Sequence, residues 1–74
     1  MNMNRLEILV EEPSIKEVLK ILLPKLLPNG WELNVNCFVR SHEGKQDLQK
    51  SIPRKIRAAA KQENSNTAFI ILQD

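Results

Sequence analysis

Acidic residues follow two strongly apolar segments of the chain, and their positions favour metal-dependent chemistry. Glu11 and Glu12 come directly after "LEILV", and Asp74 comes two residues after "FIIL". If these segments are neighbouring parallel strands, their carboxyl ends lie about 5 Å apart at one edge of a sheet. Carboxylates that converge need a cation or a shared proton, and hard oxygen ligands suit Mg²⁺ or Mn²⁺. Such a site supports phosphoryl transfer or phosphodiester cleavage.

A simpler interpretation of the same acids stays open. Acidic residues are common in the loops that follow strands. Glu12 also lies just before a predicted helix, where a negative charge interacts favourably with the helix dipole. Spacing alone does not separate a metal site from solvated loop acids.

The segment "RSHEGK" supplies a second set of candidate residues. Arg40 and Lys45 are candidates for contacts with a substrate phosphate, and His42 is a candidate general base or phosphate ligand. The alternative for His42 is an ordinary solvated loop residue. Gly44 and Lys45 lack the upstream glycine of a phosphate-binding P-loop, so the pattern excludes that nucleotide-binding motif.

Positive charge is concentrated in the segment that follows. Its basic residues, set against the single acid Asp47, are Lys45, Lys50, Arg54, Lys55, Arg57 and Lys61. A basic helix near a metal site is able to follow a phosphate backbone. No aromatic residue lies among these cations to stack on bases, and a solvated helix face is the preferred alternative.

Length and composition limit the class of protein. The 74 residues form one domain with a small core, and 42% hydrophobic residues indicate a globular chain. The net charge of +2 is too small to imply a nucleic-acid partner. No apolar run approaches the roughly 20 residues that span a bilayer, so no membrane association is expected. The single cysteine, Cys37, is expected to be a buried hydrophobe in a cytoplasmic protein.

Alternation and helical spacing predict the order β-α-β-α-β. Strands are predicted over 5–10, 31–39 and 67–73, and helices from Ser14 to about 27 and over 45–62. Ser14 and Glu17 have the spacing of a capping box. The first helix is expected to face the sheet with the stripe Ile15, Val18, Leu19, Leu22 and Leu26.

Two prolines and the lengths of the connections complete the predicted architecture. Pro24 predicts a kink or a break in the first helix, and Pro53 allows two helical pieces in the second region. Connections of this length require parallel strands and right-handed crossovers. The expected fold is an α/β three-stranded parallel sheet in the order 2-1-3, with the first strand in the centre. This is half of a doubly wound domain.

The segments "EILVEEPSIKEVL" and "AFIILQD" resemble the TOPRIM fold of topoisomerases, primases and the nuclease part of overcoming-lysogenization-type defence proteins. The chain is most similar to a bacterial TOPRIM-like family of unknown function, through its "ILVEE" start, its "LLPKLLP" helix and its "GK" segment. Glu11 matches the glutamate of the family, and Asp74 matches the first aspartate of its Asp-x-Asp motif. Glu12 departs from the glycine that is common in the broader TOPRIM pattern.

The resemblance implies a Mg²⁺- or Mn²⁺-dependent enzyme that cuts or processes nucleic acid, with Glu11 and Asp74 as catalytic metal ligands. It also implies a role in phage defence beside a partner ATPase. Residues 1–74 are expected to be the amino-terminal part of such a domain and to be inactive alone, without the second aspartate. The alternative is a small non-catalytic interaction module. It would form homo-oligomers or bind a partner through the open edge of the third strand.

Overall fold

The first strand of the chain lies at the centre of the sheet. A computed structural model describes residues 4–62 and 66–73 of the chain. Strand β1 (Arg5–Val10) lies between β2 (Cys37–Ser41) and β3 (Thr67–Leu72), and both pairings are parallel. Helices α1 (Pro13–Leu26) and α2 (Lys45–Ala60) connect the strands in turn. The predicted α/β class, the parallel pairing and the order 2-1-3 are confirmed.

The larger core lies between α1 and one face of the sheet. Side chains alternate between the two faces of a strand, so Ile8 and Val10 of β1 share a face with Cys37 and Val39 of β2. These four residues form a buried cluster with Leu23 of α1. Partly buried apolar residues surround the cluster: Leu6, Ile15, Leu19, Leu27, Trp31 and Leu33. The predicted burial of Cys37 is therefore confirmed.

Helix α1 meets the sheet through a stripe that differs from the predicted one. Ile15 and Leu19 pack on the core as expected, but the third residue of the stripe is Leu23, four positions further on. Val18, Leu22 and Leu26 were expected to face the sheet, and all three are exposed. The apolar surface of α1 is wider than the part of the helix that contacts the sheet. The remaining apolar side chains, among them Ile21, are therefore exposed.

The start of α1 also differs from the prediction, whereas its end agrees with it. The helix begins at Pro13 and its N-cap is Glu12, so the expectation that Ser14 is the capping residue is wrong. Proline suits the first helical position because its fixed φ is helical and no amide is needed there. Pro24 does not break the helix, which continues to Leu26.

Strand β2 begins six residues later than the alternating pattern predicted. The segment 31–36 is a loop that closes on the carbonyl of Glu32, which accepts hydrogen bonds from the backbone N–H groups of Val35, Asn36 and Cys37. Asn34 adopts a positive φ of 68°, which is incompatible with a regular strand. The Asn36 side chain accepts from the Glu32 N–H at 2.7 Å and donates to the Gly30 carbonyl at 2.8 Å.

Helix α2 lies along the other face of the sheet. Arg5, Glu7 and Thr67 line a groove together with Lys55 and residues 58, 59 and 62 of the chain. Leu9 of β1 and Leu48 of α2 are both fully buried. The helix runs without interruption through Pro53, so the region is one helix and not the two pieces that this proline would allow. The two crossovers therefore lie on opposite faces, as right-handed connections require for this strand order.

Candidate functional site

The carboxyl ends of the three strands meet at one edge of the sheet. Val10 is aligned with Ser41 of β2 and with Leu72 of β3. Glu11, His42 and Gln73 are the residues that follow these ends. In sheets of this kind, ligands bind outside the carboxyl ends of the strands where the order reverses, which here is beside β1. This edge is therefore the first candidate site.

The loop between β2 and α2 is attached to the end of β1. The Gly44 N–H donates a hydrogen bond to the main-chain carbonyl of Glu11 at 3.1 Å, and His42 bonds to the carbonyl of Val10. Gly44 has a φ of 89°, a conformation that glycine adopts without the strain that a Cβ would add. The Glu43 N–H donates to the Asp47 carboxylate at 2.8 Å and so closes the first turn of α2.

The predicted metal ligands are only partly described. Glu11 is half-buried at the end of β1, and Glu12 is exposed beside Ser14. Asp74 lies outside the described residues. Among residues 4–62 and 66–73, no group of three or more His, Cys, Asp or Glu side chains is arranged to hold a metal ion. The assignment of Glu11 and Asp74 as metal ligands stays a prediction.

His42 is buried, in contrast to the solvated loop residue that was the alternative interpretation. Its Nδ1 lies 2.9 Å from the Val10 carbonyl oxygen, and its Nε2 lies 2.7 Å from the Ser51 Oγ on α2. Ser51 is also buried and lies 3.1 Å from the Leu48 carbonyl oxygen. The imidazole therefore links the end of the central strand to the body of α2.

A surface groove opens beside this pair of side chains. Its volume is about 380 Å³, and its lining residues are His42, Asp47, Ser51, Arg54, Lys55 and Ala58. Apart from His42, they are spaced three or four positions apart along α2, so they form one stripe of the helix. Two cations and one carboxylate give this groove a mixed but predominantly positive lining.

The two cations predicted as phosphate contacts occupy different surroundings. Lys45 is exposed at the first position of α2, near the carboxyl edge. Arg40 lies on β2, and its Nε donates to the Glu7 carboxylate at 3.2 Å. The Arg40 guanidinium also stacks over the Phe38 ring, at 4.8 Å from the ring centroid, as does that of Arg5 at 4.3 Å.

Arg40 and Arg5 stabilise the ionised form of the Glu7 carboxylate. Burial by itself raises the pKa of the carboxyl, but hydrogen bonds from Arg40 and Arg5 and the charges of both guanidinium groups outweigh that effect. The pKa of Glu7 is therefore lowered from its ordinary value. The sequence analysis did not predict this cluster of Glu7, Arg5 and Arg40. An acidic residue between apolar residues of a central strand is nevertheless a signal, because a buried charge needs a partner of opposite charge.

A second candidate site is the outer edge of β3. No strand in the described part of the chain lies beyond it. Ile70, Ile71 and Leu72 have exposed fractions of 45%, 38% and 38%. Successive strand residues point to opposite faces, so apolar surface is exposed on both sides of this strand. An edge strand with exposed apolar side chains has the features of a strand-pairing surface.

Comparisons with known proteins identify no relative. No family model, no curated protein and no solved structure matches the chain. Neither α1 nor α2 has the length and apolarity of a membrane-spanning helix.

Proposed function

We propose that this chain is an assembly module that completes its sheet by pairing β3 with β3 of a second copy. The observation that carries this proposal is the composition of the open edge. The strand "TAFIIL" contains no charged residue and no proline, and its last three side chains are large, apolar and exposed. An edge of this kind binds another strand unless something protects it.

The two edges of the sheet differ in ways that favour β3. The β2 edge has five residues and carries Arg40 near its end, and a charge on an edge strand discourages pairing with another chain. The β3 edge has six residues and carries none of these protective features. Pairing through β3 therefore meets less electrostatic opposition than pairing through β2.

A second copy is the occupant that this edge fits best. In a two-fold dimer the same surface is used on both subunits, so the surface must be complementary to itself. An uncharged strand meets this requirement, because antiparallel pairing of two identical copies brings no like charges together. The product is a six-stranded sheet in the order β2-β1-β3-β3-β1-β2, in which both edges are the less exposed β2 strands.

Sedimentation equilibrium of the wild-type chain tests this proposal directly. A dimer is expected, and Ile70→Lys is expected to be monomeric because it places a positive charge on each of the two edge strands that pair. Val35→Lys is the matched control, since Val35 is also exposed but lies in the loop before β2. A wild-type monomer at millimolar concentration contradicts the proposal, and so does an unchanged dimer in Ile70→Lys.

A second candidate function is Mg²⁺- or Mn²⁺-dependent processing of nucleic acid, as in TOPRIM-like enzymes. The observation that favours it is the position of Glu11 at the end of the central strand, where the two crossovers go to opposite faces. Glu11 and Asp74 would hold the metal ion, which would stabilise charge on a phosphate. Arg40, His42 and Lys45 would contact the phosphate, and a partner ATPase in phage defence belongs to the same proposal.

Titration calorimetry with Mn²⁺ tests the second candidate. Glu11→Gln and Asp74→Asn are each expected to weaken Mn²⁺ binding by at least tenfold, because each removes a carboxylate ligand. Glu32→Gln is the control, since Glu32 is exposed in the loop that precedes β2. Equal Mn²⁺ affinity in the wild type and in Glu11→Gln contradicts the assignment. Vigorous nuclease activity of residues 1–74 contradicts the expectation that they are inactive alone.

A further inference from the structure

The hydrogen bonds around His42 determine which ring nitrogen carries a proton. A carbonyl oxygen only accepts hydrogen bonds, so the contact between Nδ1 and the Val10 carbonyl at 2.9 Å requires a hydrogen on Nδ1. In the neutral imidazole Nε2 then has a lone pair and acts as an acceptor. When the ring is neutral, the fold therefore selects the tautomer in which Nε2 is an acceptor directed at Ser51.

The hydroxyl of Ser51 is the donor that this base faces. Ser51 has one hydroxyl proton and two acceptors within reach, Nε2 of His42 at 2.7 Å and the Leu48 carbonyl oxygen at 3.1 Å. The shorter contact is to Nε2, and neutral Nε2 needs a donor to be satisfied. The resulting arrangement is a hydroxyl bonded to a histidine that a third group orients, which is the geometry of an activated nucleophile.

The groove beside Ser51 is open to a small molecule. Ser51 lines it together with Arg54 and Lys55, which lie three and four positions further along α2 and so share its stripe. A volume of about 380 Å³ lies within the range of small-molecule sites, about 300–1,000 Å³. The two cations attract an anionic group, while Asp47 at the other end of the stripe disfavours one there. An anionic substrate is therefore expected to place its charge towards Arg54.

We propose that Ser51 is a nucleophile and His42 its general base in an acyl-transfer site that takes small carboxylic esters carrying a negative charge. In the acylation step the Ser51 Oγ forms a bond to the carbonyl carbon of the ester, and the bond from that carbon to the leaving oxygen breaks. The hydroxyl proton moves to Nε2 of His42 and then to the leaving alcohol. Water completes the cycle by releasing the carboxylic acid, so no oxidant or further reactant is required.

The test uses two ester probes with the full chain, p-nitrophenyl hemisuccinate, which is anionic, and p-nitrophenyl acetate, which is neutral. A burst of about one equivalent of p-nitrophenol per chain is expected with the anionic ester, the mark of a covalent intermediate. Ser51→Ala is expected to abolish the burst, and Ser14→Ala, at an exposed serine of α1, to retain it. A burst that persists in Ser51→Ala overturns the proposal, as does the absence of any burst from the folded wild-type chain.

Two further variants separate catalysis from a purely structural role. His42→Asn keeps a donor for the Val10 carbonyl but removes the base, and is expected to slow acylation by about 10²-fold or more. Arg54→Gln is expected to slow the reaction of the anionic ester and to leave that of the neutral ester unchanged. Equal rates in the wild type and His42→Asn overturn the role of His42, and equal slowing of both esters overturns the role of Arg54.

Mapping the acylated residue in the wild-type chain makes the test independent of how the variants fold. Mass spectrometry after reaction with the anionic ester is expected to find the succinyl group on Ser51. Modification confined to lysines or to the exposed Ser14 contradicts the proposal, because it indicates general surface reactivity. Such a result would leave His42 and Ser51 as a link between β1 and α2.

Discussion

Glu7 on β1 accepts a hydrogen bond from Arg40 on the neighbouring strand β2, with 3.2 Å between Oε1 and Nε. The Glu7 side chain is only 12% exposed, and it also accepts from the Arg5 Nε at 3.1 Å. This single carboxylate therefore bridges two guanidinium groups on the face of the sheet that α2 covers.

The acid limb of the stability curve is expected to depend on Glu7. Its pKa is lowered in the folded state, so its stabilising contribution is fully present above the unfolded pKa of about 4.3 and is lost as pH falls through the folded-state pKa. Glu7→Gln is expected to lower the free energy of unfolding by about 1 kcal/mol at neutral pH. Urea titrations from pH 7 to 2 should show the wild-type and variant curves converging in acid.

Glu17→Gln is the matched control for this prediction. Glu17 pairs with Lys20 on exposed α1 surface, where ion pairs contribute little. Its variant is expected to follow the wild-type curve throughout the pH range. If the free energies of unfolding of Glu7→Gln and the wild type differ by the same amount at every pH, the stabilising effect of Glu7 comes from its packing and not from its charge.

Two leucines of α1 are expected to respond very differently to truncation. Leu23 is 8% exposed within the core cluster, and Leu26 is 71% exposed three residues later. Leu23→Ala is expected to cost about 2–5 kcal/mol of unfolding free energy, because it leaves a cavity beneath the helix. Leu26→Ala is expected to cost less than about 0.5 kcal/mol, since it removes no buried contact. Urea unfolding followed by circular dichroism measures both; equal effects contradict the orientation of α1.

Cys37 is expected to be protected from thiol reagents in the native state. The side chain is fully buried, and burial raises the pKa of its thiol, so the reactive thiolate is scarce. Reaction with a disulfide reagent at pH 8 should be slow in buffer and should accelerate by orders of magnitude in denaturing urea. A rate in buffer equal to that in urea would place Cys37 at the surface and contradict the core.

The topology was predictable because it depends on features that are local in the sequence. The bounds of β1 follow from a short segment that alternates at first and then is apolar. The parallel order 2-1-3 follows from the lengths of the connections and the handedness of crossovers. The face of α1 was not predictable in the same way. Leu22 and Leu23 each continue an apolar stripe along that helix. Packing against the sheet determines that Leu23 is buried and Leu22 is exposed.

The start of β2 shows why alternation of apolar and polar residues is not sufficient to predict the bounds of a strand. Trp31, Leu33 and Val35 alternate with polar residues as a strand would, yet the segment folds back on itself. The cause is a set of hydrogen bonds between Asn36, Glu32 and Gly30, none of which alternation records. Side-chain bonds of asparagine to nearby backbone compete with strand pairing, and here they prevail.

Part of the candidate site was also predictable from the sequence, and part was not. The position of Glu11 at the carboxyl edge follows from topology, so sequence reasoning found it. The contact between His42 and Ser51 depends on a loop that closes onto the Val10 carbonyl, which brings together residues from three elements. A serine within the apolar face of a predicted helix was the only signal in the sequence.

The anchoring of the β2–α2 loop has a consequence for how this molecule could change over time. Gly44 is held by the main-chain oxygen of Glu11, and that bond does not depend on which side chain residue 11 carries. A substitution at position 11 therefore keeps the main-chain acceptor of this bond. Evolution or protein design could therefore place a different reactive side chain at position 11, at this edge of the sheet, and keep the backbone bond that anchors the β2–α2 loop.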